Sequence, residues 1–542
     1  MIATLPRPTL RGRVGAPLAI ALSYAVFALP AAPAAPTAYI GLPIELALLV
    51  LAVLIMPAPL ARATRLGATL AVGLLLLFKL VDLATRLAIG RSFNPALDAA
   101  LPGFGWNVLS RALGPGVAAL LLAAIALLFL GLLWLIAAGL RGLQDWPRPR
   151  RRAAAIASAG LAVAGALLLL APAAARAPLA SIDNSRLLLA RVTETQRALR
   201  DLAVFRTRLA RGPATADDGA DFGPLAGKNV LFVFVESYGR TVFERPRYAD
   251  TIGPRLAAFE RRLADAGFGA RSGWLTSPTV GGQSWLAHGT LFSGLWVDNQ
   301  ARYEQLVASE RVSLNRRFRA AGWRTVAVMP AITRAWPEGE WFGYDRVYGV
   351  DDLGYEGRPF NWVTMPDQYT LAALQRRELA RGDDDPVMAE VALISSHAPW
   401  TPIPPLLDWS AVGDGQVFDA YADAGDPPSV VWQDNERVRA QYRKAIDYAL
   451  ATLASFVETY GHEDLVLVIL GDHQPAPLVT GDAATRDVPV HLIAADADVL
   501  SAIDGWQWAR GMRPGATTPV WRMDAFRDRF LDAFESGDRT AR

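Results

Sequence analysis

Cysteine is absent from the 542 residues. That excludes disulfides, cysteine-ligated zinc, iron–sulfur clusters and thiol catalysis. It leaves the compartment open, because an exported protein can do without disulfides. An excess of one charge is also missing: 54 basic residues face 52 acidic ones, for a net +2. So balanced a chain has no overall electrostatic footprint for nucleic acid. Charge of any kind is scarce, at 20%, against 52% hydrophobic residues. This is too apolar for an ordinary soluble enzyme and too rich in aliphatics and aromatics for a disordered chain.

The apolar residues are concentrated at the N-terminus. Val14–Ile44, Leu46–Ala61, Leu66–Phe78, Ala112–Leu140 and Ala153–Ala175 carry no charged residue. A bilayer core takes about 20 apolar residues per helix, and five spans fit, near 16–34, 38–57, 66–85, 115–139 and 153–173. Basic residues cluster before the first span (Arg7, Arg11, Arg13), between the second and third (Arg62, Arg65), and between the fourth and fifth (Arg141, Arg148, Arg150, Arg151, Arg152). All three clusters share one side if the N-terminus is cytoplasmic, and everything after Arg176 is then extracytoplasmic. Pro17–Ala35 also reads as a signal peptide with a cleavable Ala31-Ala32-Pro33-Ala34 stretch; cleavage would leave the same outer location. Glu45, Lys79 and Asp82 are charges in or near spans, read either as functional or as snorkelling to the interface. Phe104, Trp106 and Leu109, in the Ala84–Gly114 connection, suggest an interfacial amphipathic segment.

Ser181–Arg211 has helical spacing, and Gly212–Gly227 is rich in turn-forming residues and reads as a boundary. The expected organisation is therefore a transmembrane domain over 1–176, a linker with an amphipathic helix over 177–227, and a third domain over 228–542. In that third domain, apolar β-branched runs (Asn229–Val235, Thr325–Met329, Met388–Ile394, Leu465–Leu470, Val488–Ala494) alternate with amphipathic helices (Pro254–Ala266, Val312–Ala321, Asp367–Leu379, Glu436–Tyr460). The rhythm predicts an α/β fold with a mostly parallel sheet flanked by helices.

Ligands in such sheets bind beyond the carboxyl ends of strands. Three strand ends carry chemistry: Glu236-Ser237-Tyr238-Gly239, Ser395-Ser396-His397 and Gly471-Asp472-His473-Gln474. Glu, Asp and His from separate strand ends can hold a divalent ion of the Zn²⁺ or Mn²⁺ kind. They can equally form an Asp–His helix cap and a salt bridge. Ser284, after the Gly281-Gly282-Gln283 turn, opens a helix where free backbone N–H groups favour an oxyanion. It can be a nucleophile activated by a metal, or a plain N-cap. His288, one turn on, shares its helix face and reads as a substrate contact, an acid or a packing residue.

These motifs, in this order and spacing, resemble the alkaline-phosphatase superfamily. The layout is most similar to the membrane-anchored lipoteichoic-acid synthases and phosphoglycerol transferases, whose sulfatase-like domain follows five spans. The resemblance implies Glu236, Ser284, Asp472 and His473 as metal ligands for one divalent ion, Mn²⁺ or Zn²⁺, with Ser284 also the nucleophile. It implies His397 as the substrate or leaving-group histidine. Arg334 and Trp336 fall where that family contacts the head group, although its usual histidine has no counterpart between Val328 and Asp345. Met365-Pro366-Asp367-Gln368 resembles a structural turn before a helix.

Three departures narrow the expectation. Ser284 stands where the transferases use Thr, which keeps the hydroxyl and removes a rotamer-fixing methyl. Ser284-Trp285-Leu286-Ala287-His288 lacks the Pro and Arg needed for formylglycine, arguing against sulfate-ester hydrolysis. Phosphoethanolamine transferases typically carry disulfides and a further active-site histidine after Gly-Asp-His; this chain has no cysteine and nothing comparable between Gln474 and Pro489. The expected activity is transfer of a phospho-alcohol head group, phosphoglycerol from phosphatidylglycerol foremost, from a membrane lipid donor to a glycan or lipid acceptor through a covalent Ser284 intermediate. The alternatives are a phosphodiesterase or phosphatase, a phosphoethanolamine transferase, and a non-catalytic regulator. The expected location is multi-pass in a bacterial inner membrane, with the catalytic domain periplasmic.

Overall fold

The computed structural model describes residues 14–29, 41–89, 91–98, 101–170, 180–210, 221–382, 385–481 and 484–535. The chain divides into two compact units, one of residues 1–87 and 91–200, the other of 88–90 and 201–542.

The first unit is helical: α1 (Ala16–Ala28), α2 (Ile44–Ile55), α3 (Ala58–Ile89), α4 (Leu101–Leu113), α5 (Pro115–Gln144) and α6 (Arg148–Leu169). Proline in the first turn of α5 and α6 sets the starting φ where no N–H partner is needed. Among the described residues, α3, α5 and α6 are long and apolar enough to cross a membrane, whereas α1 and α2 are shorter. The expected first, second and fifth spans extend into undescribed residues, as does the Ala31–Ala34 cleavage stretch. Arg62 and Arg65, expected in a loop, lie in the first turns of α3. The Phe104–Leu109 stretch forms α4.

The charges expected within spans are all engaged. Lys79 donates to the carbonyls of Val26 (3.0 Å), Phe27 (3.1 Å) and Leu29 (2.5 Å), at the end of α1. Those are carbonyls that a helix C-terminus leaves without partners. Asp82 accepts from the Phe93 N–H, Arg86 and Arg191. Glu45 accepts from the Ser185 N–H. A further helix, α7 (Asp183–Leu209), follows the span region.

The second unit is built on a nine-stranded sheet. Its strands are β1 (Asn229–Val235), β2 (Gly269–Thr276), β3 (Arg324–Val328), β4 (Arg346–Tyr348), β5 (Val387–Leu393), β6 (Leu465–Gly471), β7 (Asp487–Ala494), β8 (Ala509–Arg510) and β9 (Val520–Arg522). The order is β8-β2-β7-β6-β1-β5-β3-β4, with β9 beside β2. The run β6-β1-β5-β3-β4 is parallel, and β7 is antiparallel to both β6 and β2. Because two reversals cancel, β2 points the same way as β6. The helices are α8 (Pro246–Asp265), α9 (Ser284–Ser293), α10 (Gln300–Val307), α11 (Leu314–Ala320), α12 (Asp367–Leu374), α13 (Asn435–Tyr460) and α14 (Phe526–Phe534). Leu231, Val233 and Val235 pack with α8 and α13 on one face, while Val230, Phe232 and Phe234 pack with α9 and α14 on the other. Alternating side chains thus bury in two cores, which explains why β1 reads as an unbroken apolar run.

Candidate active site

The central strands β6, β1 and β5 end at one edge, and β2 ends there too. Each delivers one of the chemical segments. Glu236 follows β1; its N–H donates to the Leu393 carbonyl, continuing the β1–β5 ladder for one residue. The chain then turns at Ser237, whose φ of 58° is left-handed. Asp472 follows Gly471, where a Cβ would lie 1.9 Å from the Tyr238 carbonyl. Only glycine lets the ends of β1 and β6 approach so closely.

The β2 extension carries Ser284 to the same place. Ser277 Oγ donates to the Asp472 carbonyl (2.6 Å), and the Gly281 N–H donates to the Gln474 carbonyl (2.8 Å). Gly281, Gly282 and Gln283 all have positive φ. Helix α9 then begins at Ser284 itself, with Gln283 at the cap position and no side-chain cap bond. Ser284 is therefore not the N-cap that the plainer reading expected. Its hydroxyl lies 3.1 Å from Glu236 Oε2 and 3.2 Å from His473 Nε2.

Glu236, Asp472 and His473 offer ligand atoms within 4.8 Å of one another, and all three residues are buried. His473 Nε2 is 3.4 Å from Glu236 Oε1 and 3.5 Å from Asp472 Oδ2. Its other ring nitrogen pairs with the Gln474 carbonyl at 2.9 Å, which fixes the tautomer with the Nε2 lone pair towards the carboxylates. Asp472 Oδ1 accepts from the Ser237 and His473 N–H groups, leaving Oδ2 for the cluster. Burial, then the neighbouring Glu236 charge, pushes the Asp472 carboxyl up to about 7. Burial also acts to raise Glu236, but His473 and then His397 outweigh it and hold that carboxyl at about 2. His473 is raised: burial opposes its charge, and Asp472 and Glu236 overcome that. Two buried carboxylates share one imidazole, a donor set of oxygen and nitrogen atoms that fits a divalent cation.

His397 lies half-buried at the end of β5. Its Nδ1 donates to the Ala398 carbonyl (2.6 Å) and its ring stacks on Trp362 at 4.0 Å. Ser396 Oγ donates to the Glu236 carbonyl (2.6 Å), tying this loop to the cluster. Behind it, Asp367 and Ser395 exchange two bonds: the Asp367 N–H donates to Ser395 Oγ, and the Ser395 N–H donates to Asp367 Oδ1.

His288 is buried and stacked on Phe234 at 3.8 Å, with Nδ1 bonded to Glu390. Glu390 also accepts from the Tyr344 hydroxyl. Arg334 is exposed, and Trp336 packs on Phe342 and Tyr344. So the structure gathers Glu236, Ser284, Asp472 and His473 tightly, sets His397 beside them, and sets His288 and Trp336 on a separate aromatic cluster bridged by Glu390 and Tyr344. Glu390, Ser396 and Trp362 were not singled out from sequence. A carboxylate inside the apolar strand Val387-Met388-Ala389-Glu390-Val391 is the signal that could have revealed Glu390.

No curated protein matches the chain. Among solved structures, the lipoteichoic acid synthase LtaP of Listeria monocytogenes is similar at 15% identity and a TM-score of 0.41, covering 63% of this chain and 79% of that one. The zinc complex of the C-terminal periplasmic domain of EcEptC from Escherichia coli is similar at 14% and 0.39, covering 60% and 86%. The phosphonate monoester hydrolase of Agrobacterium radiobacter is similar at 12% and 0.34, covering 56% and 73%. Likenesses so loose carry no residue roles. The sequence comparison is more direct: residues 228–488, which contain β1 through the start of β7 and every residue of the buried cluster, match the Sulfatase family. That segment is a sulfatase-like domain.

Proposed function

We propose that the chain is a membrane-anchored, metal-dependent transferase of phospho-alcohol head groups. In this reading Ser284 is the nucleophile, and Glu236, Asp472, His473 and the Ser284 oxygen hold one divalent ion, Mn²⁺ or Zn²⁺. The observation that carries it is the Ser284 hydroxyl, bonded to Glu236 and His473 at the mouth of the three-residue cluster rather than capping its own helix. A divalent ion, when bound, acidifies the serine hydroxyl and offsets phosphoryl charge. The chain's own residues do the rest. Glu236 Oε2 and His473 Nε2 are both within reach of the Ser284 proton. The serine oxygen attacks phosphorus and the lipid's diacylglycerol leaves. His397, held by its Nδ1, presents the opposite ring nitrogen to the departing and then the incoming hydroxyl.

Apolar helices of membrane length support a lipid donor, with phosphatidylglycerol foremost and a glycan or lipid as acceptor. The clusters of Arg before and between the spans support an N-terminus inside the cytoplasm and a periplasmic catalytic domain over 228–542, joined by the 177–227 linker. The absence of a Pro and Arg after Ser284 argues against a sulfatase reaction despite the family resemblance.

The test is full-length protein in detergent, loaded with Mn²⁺ or Zn²⁺ and given fluorescent phosphatidylglycerol or phosphatidylethanolamine. Diacylglycerol release together with a head-group adduct on the Ser284 peptide, both lost in Ser284→Ala, is the expected result. Release of free phospho-alcohol with no acceptor dependence would make the enzyme a hydrolase. No release and no adduct would end the lipid-donor reading.

A further inference from the structure

The loop that carries His397 also holds a ring at the surface. Among the described residues of the second unit, Trp432 is the one aromatic side chain exposed to solvent, at 45%. A single exposed ring is ordinary. This one is distinguished by how firmly it is fixed. Its Nε1–H donates to the Pro399 carbonyl (3.3 Å), and its plane lies 4° from that of Trp400, with ring centroids 5.7 Å apart. Trp400 thus covers the inner face of the indole and leaves the outer face to solvent.

Trp400 is itself buried and tied down. Its Nε1–H donates to the Ser396 carbonyl (2.6 Å), and its ring meets Tyr442 of α13 edge-on at 5.6 Å. Ser396 in turn donates to the Glu236 carbonyl, and the Tyr442 hydroxyl donates to the Ser237 carbonyl (2.8 Å). The exposed indole is therefore anchored, through Trp400, to the backbone that carries the buried cluster. A ring held this way loses little freedom when something binds to it.

Platform and histidine share one loop. Pro399 lies two residues past His397, and both line a narrow cleft with Trp400, Phe360 and Val363. Trp362 stacks on His397, and the neighbouring Asn361 donates to the Thr401 carbonyl (2.7 Å).

Three kinds of ligand suit an exposed indole: a lipid surface, an ammonium group and the C–H face of a sugar ring. Charge separates them. Residues 397–435 include six aspartates and neither Lys nor Arg. An anionic lipid surface attracts basic segments and repels one like this. The acids flanking the ring are already engaged: Asp426 pairs with Arg437, Asp423 pairs with Arg358, and Asp434 caps α13 by accepting from the Glu436 N–H. That weakens the pull on an ammonium group. A sugar has an apolar C–H face for the indole and a rim of hydroxyls for the exposed Ser429, Gln433 and Asp434 beside it in the chain.

We propose that Trp432 is the platform of an acceptor subsite and that the acceptor is a neutral glycan, seated on the indole with a hydroxyl turned to His397. This rests on the transferase reading and names its acceptor. In the second half-reaction the sugar oxygen bonds to phosphorus as the bond between phosphorus and the Ser284 oxygen breaks. The sugar hydroxyl gives its proton to His397 and the serine oxygen takes one back, so no proton is gained or lost overall.

The experiment uses the full chain in detergent with Mn²⁺, as wild type, Trp432→Ala, Trp432→Phe and Val417→Ser, the last replacing another exposed apolar residue of the same unit. The probes are neutral hexaoses (malto-, cello- and laminarihexaose) and choline, with calorimetry as a readout that needs no turnover. At least one hexaose should bind wild type and Val417→Ser alike. Trp432→Ala should weaken that binding about tenfold, and Trp432→Phe should restore part of it. In turnover with phosphatidylglycerol, the same hexaose should gain the mass of the head group, and Trp432→Ala should raise its KM more than it lowers kcat. No hexaose bound by wild type, or equal binding by Trp432→Ala, overturns the proposal. So does choline bound more tightly than every hexaose, or quenching of the Trp432 contribution to fluorescence by brominated lipid in nanodiscs, which would assign the ring to an ammonium group or to the membrane. A Ser284 adduct without hexaose binding would sink this inference and leave the transferase intact. Trp432-dependent hexaose binding without any adduct would do the reverse.

Discussion

Both units bury charge, and they do so differently. In the helical unit, the Lys79 ammonium is met by three carbonyls, and the Asp82 carboxylate by two guanidinium groups and a backbone N–H. Each of these two charges has an answer of opposite sign or a full set of hydrogen bonds. At the strand ends of the second unit, two carboxylates converge on one imidazole and a hydroxyl, with His397 acting on Glu236 from beside them. The lesson is that a buried charge by itself does not mark a functional site. Burial that the surrounding residues leave unbalanced does.

Breaking the unbalanced side should have the largest effects. Ser284→Ala should lower turnover by about 10³-fold or more, since the nucleophile of a concerted unit cannot be replaced by its neighbours. The mass of the Ser284 peptide and diacylglycerol release read this directly. Asp472→Asn or His473→Ala should cost about 10²-fold or more in activity together with the bound ion, because loss of one ligand also unbinds its partners. Elemental analysis of the dialysed protein separates that loss from misfolding.

Breaking the balanced side should change stability rather than chemistry. Asp82→Leu takes the shared carboxylate from Arg86 and Arg191, leaves Arg191 only Glu194, and should destabilise the helical unit by about 3 kcal/mol, seen as a lower melting temperature in detergent. Lys79→Met takes the donor from the Val26 and Leu29 carbonyls, leaves Phe27 only Asn184, and should cost about 1–3 kcal/mol.

Asp367 gives the smallest and most selective test. Burial, set against its bonds to Ser395, pushes its carboxyl up to about 6. The folded chain then holds this proton more tightly than the unfolded one. Folding is therefore favoured at low pH, and that contribution fades as pH rises from about 4 through 6, by roughly 3 kcal/mol at most. Asp367→Asn keeps the oxygen that accepts from Ser395 and should flatten this part of the melting-temperature profile. An unchanged slope would place the pH dependence elsewhere.

Much of this was legible in the sequence, for a physical reason. Asn229–Val235, Leu465–Leu470 and Met388–Ile394 are strands covered on both faces, so they stand out as continuous apolar runs, and the residues just past each run must lie at one edge. Glu236, His397, Asp472 and His473 were found in that way. The strand Gly269–Thr276 was not, because Arg271, Ser272 and Gly273 interrupt its pattern; Ser272 is instead paired with His491 inside the sheet. The two- and three-residue edge strands are too short to show a period. The partners of His288 were invisible because Glu390 and Tyr344 lie 102 and 56 positions from it, and no local spacing connects them. Long apolar helices were evident from composition, but their ends were not: α3 starts at Ala58 and takes Arg62 and Arg65 into its first turns.

The most direct measurement is ion stoichiometry in the full-length protein, by elemental analysis and titration calorimetry with Mn²⁺ and Zn²⁺, for wild type, Asp472→Asn and Asp82→Asn. The account predicts one tightly held divalent ion in wild type, retained in Asp82→Asn and lost in Asp472→Asn. Wild type that binds no ion, or Asp472→Asn that binds it as tightly as wild type, would contradict the claim that the unbalanced cluster at the strand ends is the working site.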